Sequence, residues 1–165
     1  EDPRFLFMPT NNENTKSQIK SRQRVAQHGE VFTNPREVNA MLDLVRDESF
    51  RLDSRFLEPA CGDGNFLIEI LRRKLSLLSS VKSSAEWEFK SLIAVGSCYG
   101  IELLEDNAEA CRMRLFTEMR EQMGKKNCTP GYEESLRYML RKNIVCGDAL
   151  TYRTADGKPI TFCEC

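Results

Sequence analysis

The strongest constraint on the fold is a short apolar run that ends at a glycine turn and is followed by a helical pattern. Residues 55–58 have the composition of a buried strand, and Pro59 and the turn Gly62-Asp63-Gly64 end it. From Asn65 onward, apolar residues recur at helical spacing, namely at Leu67, Ile70, Leu71, Leu75 and Leu78. A strand, a glycine turn and a helix in this order open a βαβ unit. The sequence therefore predicts a parallel sheet that is covered by helices.

The rest of the chain continues this alternation. The segment Asn34-Pro35-Arg36-Glu37 predicts a helix start, because it supplies a capping residue, a proline at the first helical position and a glutamate at the third. The buried face of this helix is predicted to hold Val38, Met41, Leu42 and Val45. Further strands are predicted at 97–103, 143–146 and 160–163, and further helices at 85–94, 106–123 and around 136–140. We expect an α/β fold with about three to four parallel strands and flanking helices.

Length and charge exclude several classes of protein. The 165 residues carry 24 Lys+Arg against 25 Asp+Glu, so the chain is neither a basic nucleic-acid arm nor an acidic disordered tail. The sequence has no apolar run of the roughly 18 residues that a bilayer span requires, and its first residues lack a signal-peptide layout. We expect a cytoplasmic protein with no membrane partner. Residues 1–28 are predicted to be a polar N-terminal lead-in, and residues 29–165 a single domain.

The cysteines indicate free thiols and no metal site. There are seven, an odd number, in a chain without an export signal, which favours a reducing compartment. The closest pair is Cys163-Glu164-Cys165 and His28 is the single histidine, so a four-ligand zinc site is not expected. No histidine near Cys61 in the sequence would activate it as a nucleophile.

Acidic residues close three of the predicted strands. Glu58, Glu102 and Asp148 stand at these strand ends, where a parallel sheet forms its ligand crevice. Glycines beside them let the backbone approach a ligand, and an acidic residue after the second strand can accept the two hydroxyl hydrogens of a ribose. A carboxylate after the third strand can accept a hydrogen bond from an exocyclic amine. An adenosine-type ligand satisfies this set.

The charge sign selects among adenosine ligands. A dinucleotide site requires G-x-G-x-x-G, but the third position here is Leu67. Glu58 and Asp63 place negative charge where a diphosphate would lie, which is unfavourable. S-adenosyl-L-methionine carries no phosphate, and its ammonium and sulfonium groups are cations. The charge sign therefore favours S-adenosyl-L-methionine over NAD as the cofactor.

At this point the residues resemble a known family. The segment Glu58-Pro59-Ala60-Cys61-Gly62-Asp63-Gly64-Asn65-Phe66 resembles the (D/E)-P-A-C-G-x-G-x-F motif of amino-group DNA methyltransferases, especially adenine-N6 enzymes and the modification subunits of restriction systems. Residues 29–35 are similar to the family's segment for the methionine end of the donor. Residues 99–103 and 143–150 are similar to its ribose-binding and adenine-binding strand ends. Over 29–150 the resemblance implies a Rossmann-like class I S-adenosylmethionine-dependent methyltransferase fold, present in part.

The resemblance also implies which residues bind the donor and which partners the enzyme has. The implied cofactor-binding residues are Phe32, Thr33, Glu58, Pro59, Ala60, Cys61, Gly62, Gly64, Glu102, Leu103, Asp148 and Ala149. DNA is the implied partner of the intact enzyme, together with a specificity or restriction subunit.

One element of the family pattern is missing. The family's Pro-Pro-aromatic motif, which holds the target amine and stacks on the flipped base, does not occur in this sequence. We therefore expect the donor-binding half of a longer enzyme, with no catalytic residue of its own and no activity alone. Two alternatives stay open. In the first, the chain belongs to a related methyltransferase whose acceptor is RNA or a protein glutamine. In the second, it is a non-catalytic assembly domain that keeps the fold without the reaction.

Overall fold

The computed structural model describes residues 20–28 and 31–163 of the chain. The chain divides into two units, residues 1–31 and residues 32–165. In the described part of the first unit, α1 spans Arg22–His28, a helix that the sequence pattern does not indicate. Residues 1–19, which make up most of the predicted lead-in, lie outside the described part, as do Gly29, Glu30, Glu164 and Cys165. All further elements belong to the second unit.

Within the described residues, four strands form a sheet in which spatial order follows chain order. They are β1 (Phe56–Glu58), β2 (Cys98–Glu102), β3 (Ile144–Asp148) and β4 (Arg153–Thr154). The first three strands pair in parallel, whereas β4 pairs antiparallel with β3. The predicted α/β class, with a mostly parallel sheet flanked by helices, is confirmed.

Helices connect the parallel strands. The described helices of the second unit are α2 (Pro35–Asp43), α3 (Arg46–Ser49), α4 (Asn65–Ser76), α5 (Ser84–Gly96), α6 (Glu105–Met123) and α7 (Pro130–Asn143). Two of them, α4 and α5, lie in the crossover from β1 to β2, and α6 and α7 lie in the crossover from β2 to β3. Parallel neighbours require crossovers of this length.

The start of α2 follows the sequence prediction, but its buried face does not in full. The Asn34 side chain accepts a hydrogen bond from the Arg36 N–H and caps the helix. Val38 and Leu42 are buried, whereas Met41 is 54% and Val45 is 46% exposed. The prediction was wrong for Met41 and for Val45. In the case of Val45 the reason is that α2 ends at Asp43, so that Val45 no longer follows the helical period.

The predicted strand at 160–163 is wrong. The chain instead reverses after β3 and pairs as β4, and the Ile160 N–H donates to the Tyr152 carbonyl (2.9 Å). Four residues, 149–152, connect β3 to β4, which is too short for a parallel crossover. The Phe162 ring packs on Tyr99 with ring centroids 5.1 Å apart. Apolar character at 160–163 therefore reflects packing against β2 rather than a strand of its own.

The apolar stripe that the sequence predicts from Asn65 onward is buried, both in α4 and at Leu78 just after it. Leu67, Ile70, Leu71, Leu75 and Leu78 are each 8% exposed or less. Each such side chain contributes about 1.5–3 kcal/mol when it is fully buried. This burial fixes the start of α4, and with it the end of the glycine turn, against the sheet.

A lysine on α4 lies at the edge of the sheet where the parallel strands begin. Lys74 is fully buried, and its Nζ donates to the Leu52 carbonyl (3.1 Å), the Ser54 carbonyl and the Ser97 hydroxyl. Burial lowers the pKa of Lys74. The ammonium thus connects the loop before β1 to the residue before β2.

Candidate functional site

Three acidic side chains close the three adjacent parallel strands. Glu58, Glu102 and Asp148 are the last residues of β1, β2 and β3. They share one edge of the sheet, because neighbouring parallel strands end on the same side. Glu102 is 8% exposed, whereas Glu58 and Asp148 are half-buried. The predicted gathering of the acidic strand ends is present.

The glycine turn lies directly against the end of β2. The Cys61 N–H donates to the Ile101 carbonyl (3.0 Å), and the Gly62 N–H donates to Glu102 Oε2 (2.8 Å). Gly62 and Gly64 have φ angles of +53° and +91°, a region that residues with a side chain rarely adopt. The turn therefore requires both glycines, and it is joined to the carboxylate that ends β2.

Glu102 accepts hydrogen bonds on both oxygens. Besides the Gly62 bond, Oε1 accepts from the Leu104 N–H (3.0 Å) and lies 3.5 Å from Nδ2 of Asn107, which is 1% exposed. A carboxylate oxygen accepts about two hydrogen bonds, so Oε2 has capacity for one beyond Gly62. Glu102 thus holds the turn in place and still presents an acceptor. The sequence pattern did not point to Asn107.

The first predicted segment contacts the turn. A Cβ placed on Gly62 would lie 3.0 Å from the Phe32 ring, so this ring covers the turn. The Asn65 side chain, at the start of α4, donates to the Thr33 carbonyl (2.9 Å). The structure therefore brings Phe32 and Thr33 together with the glycine turn, although about 30 residues separate them in the sequence.

A cation that the sequence did not point to lies beside Asp63. Arg114 on α6 places Nη1 2.8 Å from Asp63 Oδ1, as an ion pair rather than a well-aligned hydrogen bond. The charge of Asp63 is thus compensated. The acidic character of this edge depends on Glu58, Glu102 and Asp148. The paired Asp63 does not repel a diphosphate as a free carboxylate would, which corrects the sequence-based expectation for this residue.

Glu58 is an acid in a partly buried position. Burial raises the pKa of Glu58, and a hydrogen bond from the Ala60 backbone opposes this shift in part. An ionised Glu58 therefore lacks part of the solvation that it would have in water. A cation placed beside it would restore that stabilisation.

Cys61 is held as a neutral thiol. Its hydrogen bond with the Cys111 thiol, burial, and then the charges of Glu102 and Glu58 all raise its pKa. A neutral, buried thiol is a poor nucleophile. This environment fits the prediction that Cys61 lines the turn and does no covalent chemistry.

The remaining predicted residues flank the acidic strand ends. Asp148 Oδ1 accepts a hydrogen bond from the Leu150 N–H (2.8 Å), which leaves Oδ2 as a further acceptor. Pro59 and Ala60 are exposed after β1, Leu103 is exposed after β2, and Ala149 is half-buried after β3. Their role in donor binding stays a prediction.

Over 20–28 and 31–163, no three His, Cys, Asp or Glu side chains gather as a metal site. The helices in the same ranges include none with the length and apolar character needed to cross a membrane.

A match to a protein family model shows which family the chain belongs to. A family model described as MmeI, DNA-methyltransferase domain, matches residues 32–159, which include the glycine turn and all three acidic strand ends. The chain belongs to this family. No curated protein and no solved structure matches it.

Membership in the MmeI methyltransferase family confirms the relationship that the residues 58–66 imply. It assigns the chain to the DNA methyltransferases of restriction-modification systems. The matched region begins at Phe32, which covers the glycine turn, and it ends at Pro159, just after the hairpin of β4.

Proposed function

We propose that this chain binds S-adenosyl-L-methionine as part of a DNA adenine-N6 methyltransferase of a restriction-modification system, on a Rossmann-like class I methyltransferase fold. The observation that carries the proposal is the set of acidic residues at the ends of β1, β2 and β3, beside a glycine turn that is joined to the middle one. Family membership supports the methyltransferase part of the proposal.

The residues at this edge fit the donor in charge and in hydrogen bonding. Glu102 Oε2 has capacity to accept a ribose hydroxyl, and Asp148 Oδ2 to accept an adenine amine. Half-buried Glu58 suits a cation. The donor would be held by Phe32, Thr33, Glu58, Pro59, Ala60, Cys61, Gly62, Gly64, Glu102, Leu103, Asp148 and Ala149.

The chain would contribute positioning and charge complementarity to the reaction. When bound, the donor supplies an activated methyl group that the target amine of DNA attacks directly. Glu102 and Asp148 would fix the orientation of the nucleoside, and Glu58 would stabilise positive charge in a partly desolvated place. The target base would be held by residues outside this sequence, which lacks the Pro-Pro-aromatic motif. A specificity or restriction subunit is a proposed further partner.

A titration of the chain with S-adenosyl-L-methionine, followed by calorimetry, tests the proposal. The sharpest variant is Asp148→Asn, which keeps an oxygen for the Leu150 N–H and replaces the second acceptor by a donor. The matched control is Asp53→Asn, because Asp53 is an exposed carboxylate before β1, at the other edge of the sheet.

The wild-type chain and the Asp53 variant should bind with the same Kd, and Asp148→Asn should weaken binding about tenfold, or about 1.4 kcal/mol. Circular dichroism establishes that each chain is folded. A folded wild-type chain that binds no donor would contradict the proposal and favour the assembly domain instead.

A further inference from the structure

Arg114 makes a set of contacts that no known role of the chain explains. It lies within α6, and its side chain is 29% exposed. Its Nη1 donates to the Asp63 carbonyl (2.8 Å) and to Asn65 Oδ1 (2.8 Å), and it also pairs with the Asp63 carboxylate. One guanidinium nitrogen therefore reaches the last part of the glycine turn and the first residue of α4.

The Asn65 amide extends this contact to a second segment. A guanidinium only donates hydrogen bonds, so the Asn65 atom that faces Arg114 is the oxygen. The amide nitrogen then faces the Thr33 carbonyl, which only accepts (2.9 Å). Arg114, Asn65 and Thr33 thus form a chain of hydrogen bonds with a single consistent direction.

The turn is held from two sides. Glu102 holds the Gly62 N–H at the end of β2, and Arg114 holds the Asp63 carbonyl from α6. The two contacts differ in what else they reach. Glu102 is itself one of the three acidic strand ends. Arg114 instead contacts the turn directly and, through Asn65, the segment at Thr33.

The order of the strands indicates which part of a ligand this affects. In the proposed function, the nucleoside lies over Glu102 and Asp148, at the ends of β2 and β3. The remaining part of the donor, its amino-acid end, then extends toward β1, where the turn and the segment at Thr33 lie. Arg114 therefore acts on the part of the site that meets the amino-acid end.

We infer that Arg114 is a positioning residue for the amino-acid end of the methyl donor, acting through Asp63 and Asn65. The inference rests on the proposed function. Arg114 itself does not contact the donor. Its loss would displace the turn and the Thr33 carbonyl, which Arg114 holds in place through Asp63 and Asn65.

The test compares two ligands that share the nucleoside. S-adenosyl-L-methionine carries the amino-acid end, and 5′-methylthioadenosine lacks it. The variant Arg114→Met removes all three contacts but keeps an unbranched aliphatic stem that can pack at the same place. It should raise the Kd of S-adenosyl-L-methionine about tenfold and change that of 5′-methylthioadenosine less than about twofold. The control Arg120→Met, an exposed position on the same helix, should change neither.

Two further variants separate positioning from a loss of folding. Arg114→Lys keeps a cation with three donors and should recover most of the affinity for S-adenosyl-L-methionine. Asn65→Asp keeps an oxygen for Arg114 but sets a carboxylate oxygen against the Thr33 carbonyl, so it should reproduce the selective loss. Circular dichroism and thermal melts accompany each titration.

The outcomes distinguish this inference from the proposed function. A wild-type chain that is folded and binds neither ligand overturns the proposed function, and the inference with it. A wild-type chain that binds both, together with an Arg114→Met variant that loses both equally or loses neither, overturns the inference alone. A selective loss of the complete donor, restored by Arg114→Lys, supports it.

Discussion

The two edges of the parallel sheet treat buried charge in opposite ways. At the amino edge, the Lys74 ammonium donates to two backbone carbonyls and one hydroxyl, and these acceptors match its three protons. At the carboxyl edge, Glu102 accepts from the glycine turn and keeps acceptor capacity, and Asp148 has an oxygen beyond its turn contact. One edge is closed by the protein itself, and the other is built to accept hydrogen bonds.

This difference shows which buried charge indicates a binding site. Lys74 is more deeply buried than Glu102, and its pKa is lowered by that burial. Its contacts nevertheless leave it nothing to offer a ligand. A buried charge suggests a binding function when the protein has supplied only part of its partners. This comparison assigns stability to the amino edge of the sheet and binding to its carboxyl edge.

The largest effect on stability is expected from Lys74→Met. The substitution leaves the buried Ser54 carbonyl without its charged donor, and we expect a loss of about 3 kcal/mol in the free energy of unfolding. Urea titration measures this loss, and the control Lys90→Met, at a lysine whose side chain is 39% exposed, should cost less than about 0.5 kcal/mol. A Kd for the donor that also changed more than about twofold under folded conditions would break the contrast between the edges.

The largest effect on binding is expected from Glu102→Ala. It removes the acceptor proposed for the ribose and releases the Gly62 N–H, so the Kd for S-adenosyl-L-methionine should rise about 100-fold, or about 2.7 kcal/mol. Calorimetry measures the change, with Glu86→Ala as the control because Glu86 is an exposed acid that pairs with Lys90. Unchanged affinity would show that the end of β2 is not part of the site.

Glu58→Gln should separate stability from binding at a single residue. The pKa of Glu58 is raised, so its contribution to stability is present below pH 4.5 and is lost as the pH rises through the folded value. At pH 7 the ionised side chain is a cost that glutamine does not carry. We expect the melting temperature of the free chain to rise by at most about 2 °C, after allowance for solvent screening, while the Kd rises about tenfold. A lower melting temperature would contradict this reading of Glu58.

The smallest effect is a pH dependence of binding. As the pH falls from 7.5 toward 5, Glu58 gains protons earlier than a free glutamate would, because its pKa is raised. The affinity for the cationic donor should then fall about threefold more in the wild-type chain than in Glu58→Gln. Calorimetric titrations at several pH values measure the difference. If the affinity changed with pH in the same way for the two chains, Glu58 would not be part of the binding site.

Local patterns predicted most of the fold. The start of α2, the glycine turn and the buried stripe of α4 follow from neighbouring residues, because caps, turns and helical spacing are short-range features. The strand at 160–163 was wrong because pairing depends on connection length and on what lies nearby. A short link after β3 produced a hairpin, and Phe162 found a partner in Tyr99.

Of the candidate site, only the glycine turn and the acidic strand ends could be predicted from the sequence. Acidic residues at strand ends are visible in the sequence, because each strand ends within a few residues of a glycine. Arg114 and Asn107 are not visible, since a charged or polar residue in a helix gives the same pattern whether it faces solvent or a buried carboxylate. Arg114 stands 51 residues from Asp63, and no local signal connects them.

By itself, the sequence determined the three parallel strands and the helices between them, the place of the glycine turn and the acidic ends of β1, β2 and β3. Only the tertiary structure decided which of the charges are satisfied. Lys74 is matched by the loop before β1, Asp63 by Arg114, and Glu102 in part by the turn. The physical reason is that hydrogen bonds and ion pairs act over a few ångström in space, and packing alone brings remote residues within that distance.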